Sequence, residues 1–147
     1  MQVNGKELAV EIDGDGPAVL LVHGLGGTSN FYQVQADALA ADHKVVRVDL
    51  AGAGRSPVPA GEISIASHAD DLAALLDALQ IPSAAVVGHS MGTLVVRTFA
   101  ARHPGRVTAM ALLGAVAEPA EAGRQAQRDR AATVRAQGMV AVAPGVV

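Results

Sequence analysis

The run Gly88-His89-Ser90-Met91-Gly92 constrains this chain more than any other stretch. It follows the apolar run Ala84-Ala85-Val86-Val87 and opens a helical pattern that extends from Met91 to about Arg102, where Pro104 stops it. A Gly-x-Ser-x-Gly between a strand and a helix describes a sharp turn that holds the serine backbone under strain and lifts its Oγ clear of the sheet. Glycine is needed on both sides because strand and helix pass so closely that side chains at Gly88 and Gly92 would collide.

The rest of the chain reads as strands alternating with helices. Val3-Asn4-Gly5-Lys6 is a tight turn, and Glu7 to Ile12 is the return strand. Ala18 to Val22 is a short apolar run, as expected of a strand buried on both faces. A glycine-rich loop, Gly24 to Gly27, leads into a helix over Ser29 to Ala40 with Phe31, Val34, Ala38 and Leu39 on one face. Lys44 to Asp49 is the next strand, and the Gly- and Pro-rich stretch from Ala51 to Gly61 is loop. The pattern predicts a helix over Ser67 to Gln80, with Leu72, Leu75, Leu76 and Leu79 as its apolar stripe and Pro82 ending it. Val107 to Leu113 is a last strand, and Glu118 to Gln137 is helical with a weak stripe of Ala122, Ala126 and Val134. Such alternation gives a doubly wound, mostly parallel sheet.

Composition narrows the function. With 147 residues, half of them hydrophobic, the chain has about one domain and material for a sizeable core. Its net charge of −3 argues against nucleic acid, which needs a basic face. The absence of cysteine excludes thiolate chemistry and cysteine-bound metal. No H-E-x-x-H spacing, P-loop or complete G-x-G-x-x-G occurs, so no metal or cofactor is expected. The polar N-terminus lacks the form of a signal peptide, and no apolar run reaches a membrane span. The expectation is a soluble cytoplasmic protein acting on a small molecule.

Three stretches together resemble the α/β-hydrolase family: His23-Gly24-Leu25-Gly26-Gly27, Asp49-Leu50-Ala51-Gly52-Ala53-Gly54-Arg55-Ser56, and Gly88-His89-Ser90-Met91-Gly92. The likeness covers roughly Gln2 to Glu118, and Ala51 and Ala53 stand where larger or polar residues are common. It implies an α/β-hydrolase fold with helices on both faces of the sheet. Ser90 is then the nucleophile, and the backbone N–H groups of Leu25 and Met91 form the oxyanion hole. His23 shapes the oxyanion loop, and Asp49 organises its own loop. Within the family the chain is most similar to the 3-oxoadipate enol-lactonase branch, through Gly14-Asp15-Gly16-Pro17, the Gly-Leu-Gly-Gly loop and the Arg-rich stretch 123–130. The implied activity is cleavage of a carboxylic ester or lactone through an acyl-enzyme. Residues 1–117 would be the N-terminal half of the core and 118–147 the start of a helical cap.

A hydrolase of this order carries Ser, then Asp or Glu, then His along the chain. After Ser90 the acids are Glu118, Glu121 and Asp129, and the one histidine is His103. His103 stands about 20 Å along the helix, far beyond proton-transfer reach. The expectation is therefore a C-terminally truncated hydrolase, inactive alone, whose 107–113 strand edge promotes self-association. A non-catalytic remnant or interaction module, and a haloperoxidase-like or C–C-bond hydrolase, are the alternative readings. Asp70, Asp71 and Asp77 are read as a solvated helix face, and His43, His68 and His103 as surface residues. Arg124, Arg128, Arg130 and Arg135 are read as the solvated side of a cap helix.

Overall fold

The computed structural model describes residues 1–115 and 121–143. The chain forms two compact units, Met1–Ala115 and Val116–Val147. In the first, β1 (Gln2–Val3) and β2 (Lys6–Glu7) make a small hairpin. Asn4 and Gly5 both take positive φ at its turn, 50° and 72°. The expected return strand over Glu7 to Ile12 is divided. β2 pairs with β1, whereas β3 (Val10–Asp13) pairs antiparallel with β5 (Lys44–Val48) in the main sheet. The buried Leu8 stands at the break.

The main sheet has the order β3-β5-β4-β6-β7, with β4 at Ala18–Val22, β6 at Ala84–His89 and β7 at Val107–Leu113. Apart from β3 its pairings are parallel. The period-2 alternation of strands divides the core between the two faces. Leu20 and Val22 of β4 join Val46, Val48 and Val86 beneath helices α2 (Ile65–Ala78) and α3 (Met91–Arg102). Val19 and Leu21 pack with Val45 beneath α1 (Gln33–Leu39) on the opposite face. Helices on both faces are thus observed.

The segment expected as one helix over Ser29 to Ala40 begins instead as a 3-10 turn, Ser29–Tyr32, before α1. Three residues per turn shift the phase of the helix behind it. Tyr32 and Ala36 are buried, while Phe31, Val34 and Ala38 are exposed, so the apolar face expected from the sequence is corrected. Burial pushes the Tyr32 phenol up to about 12, and its hydroxyl donates to the Val22 carbonyl.

α2 starts two residues before its expected position, at a reciprocal cap between Ser64 and Ser67. It ends before Pro82 comes into play. Gln80 takes φ 56°, and the Ile81 N–H reaches back to the Leu76 carbonyl at 2.8 Å. Leu72, Leu75 and Leu76 are fully buried, as their spacing requires. The same stripe continues toward the N-terminus through His68 and Asp71, which corrects the reading of both as solvated. Asp71 accepts from Lys6 Nζ at 2.6 Å and from the Asn4 amide at 3.1 Å, tying the hairpin to α2.

The second unit contains α4 (Glu121–Gln137) and a short 3-10 turn, Met139–Ala141. Neither has a buried residue among those described. Glu121 accepts from Arg124 and Arg128, an ion-paired cluster along the surface of α4, and Asp129 accepts from the Gln125 amide. The expected helical start at Glu118 and the tail from Pro144 lie outside the described residues.

Candidate active site

Sheet order sets the position of the site. The chain leaves β4 for β5 on one side, then crosses to β6 on the other. β4 and β6 are parallel neighbours, with Val22 opposite Gly88. The loops leaving these two strands therefore emerge side by side at the carboxyl end of the sheet, where such folds place ligands.

Ser90 is the one residue between β6 and α3. Its backbone lies at φ 50°, ψ −117°, a conformation an L-residue adopts only under constraint. Its N–H donates to the Leu113 carbonyl at 2.9 Å, which fixes the turn to the end of β7. Thr93 donates to the Ser90 carbonyl through its hydroxyl, 2.6 Å, and its N–H, 2.9 Å. The expected close passage is present. A Cβ on Gly88 would stand 2.4 Å from the Gly92 carbonyl oxygen, and one on Gly92 would stand 2.3 Å from that of Val22. Met91 is the first residue of α3, so its N–H has no intrahelical partner and lies at the positive end of the helix.

The loop after β4 closes against this turn. A Cβ on Gly24 would lie 3.1 Å from the Ser90 Cβ and 3.1 Å from the His89 carbonyl oxygen and Nδ1. The Gly27 N–H donates to the Gly24 carbonyl and curls the loop, leaving the Leu25 side chain 62% exposed. Among the described residues the Leu25 N–H takes part in no backbone hydrogen bond.

His23 and Asp49 hold this arrangement from behind. His23 is buried, and the Leu50 N–H donates to its Nε2 at 3.0 Å. Nδ1 therefore carries the proton and donates to the Gly24 carbonyl at 2.8 Å. Burial lowers the His23 pKa against the weaker opposing pull of that carbonyl and of Asp49, and the ring is neutral at pH 7. It pins the loop after β4 to the loop after β5.

Asp49 is also buried. Its carboxylate accepts from the Ser29 N–H at 2.7 Å, the Arg55 N–H at 3.0 Å and the Arg55 Nε at 3.0 Å. Burial alone would raise its pKa, but these donors hold it down at about 2. Its carbonyl also accepts from the Ser56 hydroxyl at 2.6 Å.

The remaining histidines make other contacts. His89 stacks on Phe31, with ring centroids 4.4 Å apart and planes 22° apart. His103 caps the far end of the 12-residue α3, where its Nε2 meets Asp70 Oδ1 at 3.0 Å and Arg102 holds the same carboxylate. His43 pairs with Asp42 just before β5, at the opposite end of the sheet. His68 is buried in α2, and its Nδ1 has no partner among the described residues. The described residues thus bring Ser90, Met91, Leu25 and Gly24 together, and they place no Asp–His pair at that turn.

The family described as alpha/beta hydrolase fold matches residues 17–141. A RutD protein of Variovorax paradoxus, named for carbamate hydrolysis, is 44% identical over 108 residues, covering 71% of this chain and 40% of that protein. An epoxide hydrolase of Caballeronia sordidicola is 40% identical over 110 residues, 73% of this chain and 33% of its own length. The crystal structure of the enol-lactonase from Burkholderia xenovorans superposes with a TM-score of 0.87 at 33% identity. That match covers 99% of this chain and 57% of the lactonase. The chain spans about two fifths of the length of the RutD relatives it matches.

Proposed function

Because the chain belongs to the α/β-hydrolase fold family, we propose that it supplies the nucleophile and oxyanion hole of a hydrolase that opens carboxylic esters or lactones. Ser90 Oγ gives its proton to a base and attacks the acyl carbon, the Leu25 and Met91 N–H groups hold the resulting oxyanion, the acyl C–O bond breaks so that the alcohol oxygen leaves with that proton, and water later hydrolyses the Ser90 ester. The observation that carries this reading is the meeting of two loops at one point. A Cβ on Gly24 would lie only 3.1 Å from the Ser90 Cβ, so the loop bearing the Leu25 N–H lies close against a serine at the positive end of a helix. The names of the enol-lactonase neighbour and the RutD relative both refer to cleavage at an acyl carbon, which supports the same class. The described residues place no Asp–His pair at the turn, and this reading takes the base and acid of a Ser-His-Asp relay from outside them.

A missing base can be replaced from solution, and that gives the test. Treated with a fluorophosphonate, the chain alone forms the Oγ–P bond and expels fluoride slowly. Added imidazole accepts the serine proton and accelerates the adduct several-fold. Intact mass and peptide mapping place the adduct on Ser90, and Ser90→Ala abolishes it. No adduct at Ser90 even with imidazole would favour a non-catalytic binding module built on the same half-sheet.

A further inference from the structure

The turn of the N-terminal hairpin sets a reactive pair of residues against a buried carboxylate. Asn4 and Gly5 stand between the paired residues Val3 and Lys6, both exposed and both at positive φ. A Cβ on Gly5 would meet nothing within 4 Å, and among the described residues its N–H takes part in no backbone hydrogen bond. The Asn4 side chain leans onto α2, where its Nδ2 donates to Asp71 Oδ1 at 3.1 Å and to the Asp70 carbonyl at 3.2 Å. Asp71 is buried, and Lys6 Nζ meets its other oxygen at 2.6 Å.

An asparagine followed by glycine can modify itself. The Gly5 nitrogen gives its proton to hydroxide and closes a ring on Asn4 Cγ. The Cγ–Nδ2 bond breaks, and the nitrogen takes a proton from water and leaves as ammonia. Water then opens the succinimide at either carbonyl, leaving aspartate or isoaspartate at position 4. Glycine puts no side chain in the way of this closure. The other asparagine, Asn30, precedes the bulky Phe31, whose N–H donates to the Thr28 carbonyl at 3.1 Å. Asp13 and Asp15 also precede glycines but offer a carboxylate rather than an amide.

We propose that Asn4 is a site of self-modification and that its conversion undocks the hairpin from α2. The two bonds to Asp70 and Asp71 restrain the amide, so ring closure proceeds when the turn lifts from the helix. The product cannot return to the same place. An oxygen replaces the donor Nδ2, a second carboxylate faces Asp71 Oδ1, and both carboxylates must share Lys6. Val3 and Leu8 anchor this end of the chain in the core, and a two-stranded hairpin is at best marginal once it leaves such an anchor. The Leu8 N–H, which donates to the Met1 carbonyl at 2.8 Å, then opens to water.

The full chain, incubated at mildly alkaline pH, gives the test. Peptide mapping follows Asn4 and Asn30 through the mass gained when NH is replaced by O. Conversion is expected at Asn4 with Asn30 intact, and Asn4→Gly, which keeps the positive φ, should abolish it at that position. Hydrogen exchange at the Leu8 amide reads the consequence. Asn4→Asp should raise it about tenfold, as for loss of a hydrogen bond to a charged group. Asn4→Gly loses the same bonds but adds no charge, and should raise it less. No conversion at Asn4, conversion at Asn30 at the same rate, or Leu8 exchange no faster in Asn4→Asp than in Asn4→Gly overturns the proposal.

Discussion

Ser90 holds a backbone conformation that its own Cβ opposes, and nothing in its hydrogen bonding as a serine side chain accounts for it. The strain is imposed from both sides, by the end of β7 that takes its N–H and by the helix that starts at Met91. Such a conformation costs on the order of 1–3 kcal/mol. Ser90→Gly is therefore expected to stabilise the chain by about 1 kcal/mol, raising its melting temperature by roughly 3 °C, while removing the phosphonate adduct. Ser90→Ala keeps the Cβ and should show no gain, so thermal melts of the pair isolate backbone strain. Asp49 is the second residue-scale device. Its pKa of about 2 lies below the ordinary carboxylate value, so its contribution to stability is full above about pH 4 and is lost as pH falls toward 2. That contribution amounts to about 2 kcal/mol. Denaturant midpoints measured between pH 6 and 2 should fall more steeply for the native chain than for Asp49→Asn.

At the scale of elements, α2 shows how much a sequence pattern discloses and where it stops. The stripe Leu72, Leu75, Leu76 is legible because burial and period coincide. His68 and Asp71 lie on the same stripe, but their residue type favours water while their phase favours the core, and phase wins. The partners that make Asp71 tolerable, Lys6 and Asn4, are more than 60 positions away in sequence, and no local pattern announces them. The segment after β4 departs from its pattern for a different reason. A single 3-10 turn changes the period from 3.6 to 3, and the apolar face rotates away from Phe31 and Val34. The turn at Ser90 is legible because Gly88 answers to Gly92 four positions on, although Gly92 itself answers to the carbonyl of the distant Val22. The end of α2 offers a test at this scale. Gln80 stands in the left-handed position that glycine fills at helix termini, so Gln80→Gly is expected to add about 1 kcal/mol, read from urea midpoints.

At the scale of the molecule, the main sheet is asymmetric. At one edge β3 carries Glu11 and Asp13, which hold Arg47. At the other, β7 reads Val-Thr-Ala-Met-Ala-Leu-Leu, with no charge and no proline, and residues 108–113 are exposed. An unguarded apolar edge is a template for another strand. We propose that the isolated chain associates with itself through β7. Sedimentation should show mass rising with concentration, and Met110→Lys with Leu112→Lys should return it to that of one chain. A native chain that sediments as a monomer at all concentrations would refute the edge as an interface.

The contacts at Gly88 and Gly92 have an evolutionary reading. Folding and chemistry make demands at adjacent positions, and the demands can be separated. In a library randomised at residues 88, 90 and 92 and sorted only for folded protein, glycine alone should survive at 88 and 92, because any Cβ there meets a backbone carbonyl oxygen at 2.4 Å or less. Position 90 should drift freely and even favour glycine. Sorted for acyl transfer, the same library should restore serine at 90 and leave its flanks as they were. The tolerance of this short run to drift therefore depends on what is being selected, and a lineage released from catalysis would lose its serine long before its glycines.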